Sequence, residues 1–142
     1  MPGPPDTTPI GLRLTRTARV AAQAFDRAMA DAGGSAATWQ VLVLVRSRAW
    51  GQQSEMAAAM GITGATLTHH LNALERQGLV RRWRDDANRR VQRVELTDDG
   101  VAMFGRLRTV AAAHDERLRA NLSDAETEQL GELLDKLRSG LD

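Results

Sequence analysis

Residues 61–100, GITGATLTHHLNALERQGLVRRWRDDANRRVQRVELTDDG, decide how this chain folds. Thr63 carries a hydroxyl that can cap free backbone N–H groups, and Gly78 tolerates the left-handed conformation that follows a helix end, so a helix is predicted from Thr63 to Gln77. Leu67, Leu71 and Leu74 recur at i, i+4 and i+7 and line one face. The opposite face shows Gly64, Ala65, Thr68, His69 and Asn72, small or polar residues that let a helix approach base edges closely. Upstream, Met56, Ala57 and Met60 stand at helical spacing, and Gly61 with Ile62 makes a short turn into Thr63, as in a helix-turn-helix.

Beyond Gly78 the period changes. Leu79, Val80 and Trp83 stand on one side and Val91, Val94 and Leu96 on the other of the polar run 84–90, RDDANRR, which predicts a two-stranded hairpin with Asp and Asn in its turn. Arg81, Arg82, Arg84, Arg89, Arg90 and Arg93 crowd it. Residues 62–97 hold seven arginines against four acids, a net of +3, whereas residues 98–142 hold six basic and ten acidic residues, a net of −4. Because the whole chain is near +1, its basicity is local, which is the electrostatic footprint of a phosphate-binding surface beside a groove-sized helix.

The run from Gly78 to Gly100 resembles the wing of the MarR family of bacterial transcription regulators, close to G-L-[VI]-x-R-x-x-D-x-x-D-x-R followed by a strand and L-T-x-x-G. Gly78, Leu79, Val80, Arg82, Asp85, Arg90, Leu96, Thr97 and Gly100 match without a gap, and the family's order of helices covers nearly the whole chain. Two positions depart from the pattern. Ala87 stands where family members often carry a wing-tip arginine that enters the minor groove, and Asn88 replaces the second aspartate, which leaves Arg89 or Arg84 to substitute. The resemblance implies a mostly α winged helix-turn-helix with a small β-hairpin wing, acting as a homodimer, and a region that holds a small aromatic or anionic effector. Trp39 lies where the second helix meets the long helices in that scheme, with Arg13, Arg16 and His114 as candidate anion partners.

At 142 residues the chain can bury roughly two thirds of its unfolded surface, enough to fold without staples. The absence of cysteine excludes disulfides, thiolate metal sites and sulfur-based cysteine switches. No run approaches the roughly 18 apolar residues that span a bilayer, and the N-terminal MPGPPDTTP is neither basic nor apolar enough for a signal peptide, so a cytoplasmic location is expected. Residues 1–9 are expected to be a Pro-rich, disordered arm. Leu14, Ala18, Ala21, Phe25 and Ala28 then mark a long helix running to about Ala32 within a dimerisation segment, 10–34. The DNA-binding unit spans 35–96: Thr38 can cap a second helix bearing Trp39, Leu42, Val43 and Val45, a loop follows around Trp50 and Gly51, and Ser54 can cap a third from Glu55 to Met60.

In the C-terminal segment, 97–142, Thr97 caps a helix striped with Val101, Phe104, Leu107, Ala111, His114 and Leu118. Ser123 and Glu126 make a capping box for a last helix bearing Leu130, Leu133, Leu134 and Leu137. These stripes exceed what a small winged helix can cover. A second copy about a two-fold axis would cover them and present two recognition helices roughly 34 Å apart to a palindromic operator.

On this reading Thr63, Gly64, Thr66, Thr68, His69 and Asn72 face double-stranded DNA, while Arg76, Arg82, Arg84, Arg89 and Arg90 hold its backbone. Asp85 is expected to brace Arg90 or close the turn. His69 and His70 point about 100° apart on a helix and do not chelate one metal ion, so neither a metal nor a cofactor is expected. The tryptophans at 39, 50 and 83 read as packing residues. No nucleophile, phosphate-cradling glycine loop or His–acid pair suggests an enzyme. The leading reading is a dimeric, sequence-specific transcription regulator, a repressor released by a small effector. A weakly specific architectural DNA-binding protein and a winged-helix protein-interaction module remain alternatives.

Overall fold

A computed structural model describes residues 7–47 and 53–142; the start of the Pro-rich arm and the loop around Trp50 and Gly51 lie outside the described residues. Among the described residues, six helices and one hairpin follow in the order α1 (Ile10–Asp31), α2 (Ala36–Ser47), α3 (Gln53–Met60), α4 (Gly64–Arg76), β1 (Val80–Arg84), β2 (Gln92–Leu96), α5 (Asp98–Arg119) and α6 (Asp124–Ser139). Thr63 accepts a hydrogen bond from the Thr66 amide at 3.1 Å, and Ser123 and Glu126 form the complete capping box.

Two caps fall elsewhere than expected. Ser35, not Thr38, opens α2, accepting from the Thr38 amide at 3.0 Å, because a hydroxyl three residues upstream reaches the free N–H first. Ser54 lies inside α3, which begins at Gln53.

One apolar core joins the elements from α1 to α5. Met29 of α1, Val41, Leu42 and Val45 of α2, Met56 and Ala57 of α3, the three α4 leucines, Leu79, Val80 and Leu107 of α5 are all buried. Each fully buried leucine contributes roughly 1.5–3 kcal/mol by leaving water, so the triplet at 67, 71 and 74 is the main anchor of α4. On α5, Leu107 reaches the core, Phe104, Ala111 and His114 are half-buried, and Val101 and Leu118 are exposed.

The wing is a two-stranded antiparallel ladder pairing Val80 with Leu96 and Trp83 with Arg93. Successive side chains alternate in a strand, so Val80 and Arg82 turn toward the body and Arg81 and Trp83 away from it. Trp83, expected to pack, is accordingly 40% exposed, with the Arg81 guanidinium 4.9 Å from its ring centroid.

Helix α4, the wing and α5 meet at one joint. Gly78 has φ +75°, letting α4 turn sharply into the wing. The Thr97 hydroxyl donates to the Gly78 carbonyl at 2.5 Å and accepts from the Gly100 amide at 3.0 Å, while the Thr97 amide donates to the Leu79 carbonyl at 3.1 Å. A Cβ on Gly100 would sit 2.0 Å from that same Leu79 oxygen. The L-T-x-x-G ending of the wing is thus a hydrogen-bonded seam that admits no side chain at its last position.

Candidate nucleic-acid interface

The face of α4 opposite its leucines is open. With about 100° per residue, Ala65, His69 and Arg76 lie roughly 160–200° round from Leu67, and all three are exposed, as are Gly64 and Thr66. Thr63 is the helix cap, and its hydroxyl also pairs with that of Thr66 at 2.9 Å. His69 makes no hydrogen bond to another described residue; its ring stands 6.0 Å from that of His70, which is half-buried.

Two residues expected on this face are engaged inside the protein. Thr68 is half-buried and accepts from Gln53 Nε2 of α3 at 2.6 Å. Asn72 accepts through Oδ1 from Arg82 Nη2. Arg82 also donates to Glu75, from Nε at 3.4 Å and Nη2 at 3.3 Å, and its side chain is only 12% exposed. These bonds hold the Glu75 carboxyl below the usual carboxylate range. Arg82 therefore pins the first wing strand to α4 instead of facing solvent. Gln53 and Glu75 had no place in the sequence-based site, although strict alternation along β1 puts Arg82 on the same face as the buried Val80.

The wing divides its remaining arginines into two groups. Arg81 pairs with Glu95 across the ladder. Arg93 pairs with Asp85 at 2.8 Å, so the expected brace to Arg90 falls on Arg93, which stands one register step from the strand end. Asp85 Oδ1 also accepts from the Ala87 amide at 2.8 Å and the Asn88 amide at 3.2 Å. The Arg93 bond first, then these two amides, lower the Asp85 pKa. Asn88 Oδ1 in turn accepts from the Arg90 amide at 3.1 Å.

Those bonds build a rigid tip whose other cations stay open. Arg84 Nη1 donates to the Arg89 carbonyl at 3.0 Å, leaving its other donors outward. Arg89 and Arg90 are exposed, and their guanidinium groups meet no partner among the described residues. Arg84 and Arg90 line a polar cleft of about 450 Å³ with Gln53 and Ser54 of α3. The two guanidinium groups give this cleft, between α3 and the wing, a positive lining.

The four candidate effector residues do not converge. Trp39 stacks on Phe104 with centroids 5.4 Å apart and walls an apolar cavity of about 270 Å³ with Val43, Leu44, Ala59 and Met60. His114 packs against Phe25, 5.1 Å between centroids, and Arg13 and Arg16 are exposed on α1; none of these three lines that cavity. Helix order along the chain could not separate them, since it does not determine which side chains share a space.

Residues 35–91 match the model of the MarR family. The HTH-type transcriptional regulator PecS of Dickeya dadantii (strain 3937) is 27% identical over 131 residues, covering 90% of this chain and 79% of PecS. The transcriptional repressor CouR bound to a 23-mer DNA duplex superposes with a TM-score of 0.83 at 28% identity, covering 92% of each chain. CouR from Rhodococcus jostii RHA1 bound to p-coumaroyl-CoA gives a TM-score of 0.78 at 26% identity, again over 92% of each chain.

Proposed function

We propose that this chain is a winged helix-turn-helix regulator of the MarR type, a dimeric, sequence-specific DNA-binding repressor that a small effector releases from a palindromic operator; the match of residues 35–91 to the MarR family model and the likeness to PecS support this reading. The observation that carries this reading is the exposed outer face of α4 standing beside a wing whose Arg84, Arg89 and Arg90 point unpaired donors outward. A charged surface without internal partners attracts phosphate by counterion release, and the small residues of the helix admit base edges. Ala65, Thr66 and His69 with Gly64 enter the groove; Arg76, Arg84, Arg89 and Arg90 contact the backbone. Thr63, Thr68, Asn72 and Arg82 shape and brace that surface.

CouR, which occurs bound both to DNA and to p-coumaroyl-CoA, supports effector control. In this chain the apolar cavity beside Trp39 favours an effector with a flat aromatic portion, while Arg13 and Arg16 stay outside that contact. The proposed role is binding without catalysis, in the cytoplasm, and no helix among the described residues is long and apolar enough to cross a membrane.

The test is selection of bound duplexes from a random pool, followed by titration of the enriched duplex and of random DNA at several salt concentrations. A regulator binds its operator roughly 10³-fold or more tighter than random sequence. Replacing Arg89 and Arg90 together by alanine should weaken both duplexes and lower the salt slope by about 0.9 for each phosphate that is no longer neutralised. A specificity ratio near one leaves a weakly specific architectural protein; binding without salt dependence removes the DNA reading altogether.

A further inference from the structure

Readout by α4 is narrower than its composition suggests. The hydrogen-bonding side chains spread along the helix are Thr66, Thr68, His69, His70, Asn72, Glu75 and, in the last turn, Arg76; His70 is half-buried and Glu75 is held by Arg82. Gln53 holds Thr68 against α3, and Arg82 occupies the Asn72 oxygen that a bidentate contact to adenine needs. Thr66 lies toward the flank, about 100° from Leu67, and its hydroxyl pairs with Thr63. Arg76 sits in the C-terminal turn, about 10 Å along the axis from His69, whereas recognition helices reach base edges with their N-terminal residues.

That leaves one exposed hydrogen-bonding ring at the centre of the inserted face, with the small Ala65 one turn before it. We propose that His69 is the specificity-determining residue of α4, reading a guanine in each half-site through one imidazole N–H directed between O6 and N7. Guanine presents two acceptors on that edge, so a single donor gains from both. Adenine sets an amino donor beside its N7 and repels the same N–H, while pyrimidines lack N7. Ala65 adjoins it as an apolar surface suited to a thymine methyl. This rests on the reading that α4 enters the major groove.

The experiment is duplex selection from a random pool with the full chain and with its His69→Ala and Asn72→Ala variants, followed by 7-deazaguanine substitution at the enriched guanine, which removes the N7 acceptor. Alanine suits an exposed helix position, so His69→Ala should keep its fold by circular dichroism. The expected result is loss of preference at one dyad-related guanine position in His69→Ala. Asn72→Ala should keep the guanine. The 7-deazaguanine site should weaken the wild type roughly three- to tenfold and leave His69→Ala indifferent. A wild type that enriches a site whose guanine His69→Ala also selects overturns this inference alone, as does equal sensitivity of both proteins to 7-deazaguanine. A wild type that enriches no sequence overturns the regulator reading and this inference with it.

Discussion

An arginine contributes to a DNA-binding surface only through guanidinium donors that the protein has not already engaged. Arg82 and Arg90 lie on the same hairpin, yet Arg82 bonds Asn72 and Glu75 while Arg90 lines the open cleft beside α3. Replacing Arg82 by alanine is expected to lower folding stability by about 1 kcal/mol and to leave the salt slope of DNA binding unchanged. Arg90→Ala should do the reverse, lowering the slope by about 0.9 at unchanged stability; parallel denaturant and salt titrations check both. Asp85 gives a pH prediction. Its folded pKa is lowered by Arg93 and two tip amides, so the bonds it makes are fully formed above the ordinary carboxylate range and are lost as pH falls through the lowered folded value. Exchange protection of the Ala87 and Asn88 amides should therefore persist at mildly acidic pH and vanish only below that range. Asp85 titrating at or above its unfolded value, by carboxyl chemical shift, would contradict the assignment. Asp85→Asn should keep an acceptor for the tip while losing the pairing with Arg93.

At the scale of elements, the seam at Gly78, Leu79, Thr97 and Gly100 fixes the wing against α4 and α5 together. Gly100→Ala forces a Cβ against the Leu79 carbonyl, a backbone atom that cannot swing away. It should cost roughly 1–3 kcal/mol as overpacking, and wing amides should exchange faster than those of α2. Gly78→Ala, with open space around it but φ +75°, should cost about 1–2 kcal/mol through backbone strain alone. Unfolding of the two variants with equal protection loss across all helices would show that the seam is not a local joint. Much of this was legible in sequence: the leucine triplet, the Thr63 and Thr97 caps, the glycine after α4 and the polar tip all report local periodicity or backbone preference. The partners of Thr68, Asn72 and Arg82 were not, because each depends on how α3 and the wing pack on α4 across 7 to 15 residues of chain. Ser35 and Thr38 are two hydroxyls three residues apart, and the sequence carries no preference strong enough to choose which one caps α2.

Across the whole molecule, the apolar surface is unevenly covered. The middle of the chain buries its leucines, whereas α6 buries no residue and leaves Leu130, Leu133, Leu134 and Leu137 between 37% and 53% exposed. The first half of α1 exposes Ile10, Leu12 and Val20 as well. Scattered exposed leucines are ordinary; a periodic stripe along a capped helix is not, and it asks for a surface of the same character. A second copy supplies one at every point of the stripe, since a two-fold axis sets the same patch against itself. Such pairing would also fix the separation of the two α4 helices, which is how covering α6 and binding a palindrome become one requirement. Replacing Leu130 and Leu133 together by glutamate should therefore yield a monomer by sedimentation equilibrium. Its winged helix stays folded, because neither side chain belongs to the core. Affinity for a half-site should change little, while affinity for the full operator falls by the loss of linked binding, on the order of 10² or more. A variant that remains dimeric, or a monomer that binds the full operator as tightly as the wild type, would separate the leucine stripe from DNA recognition.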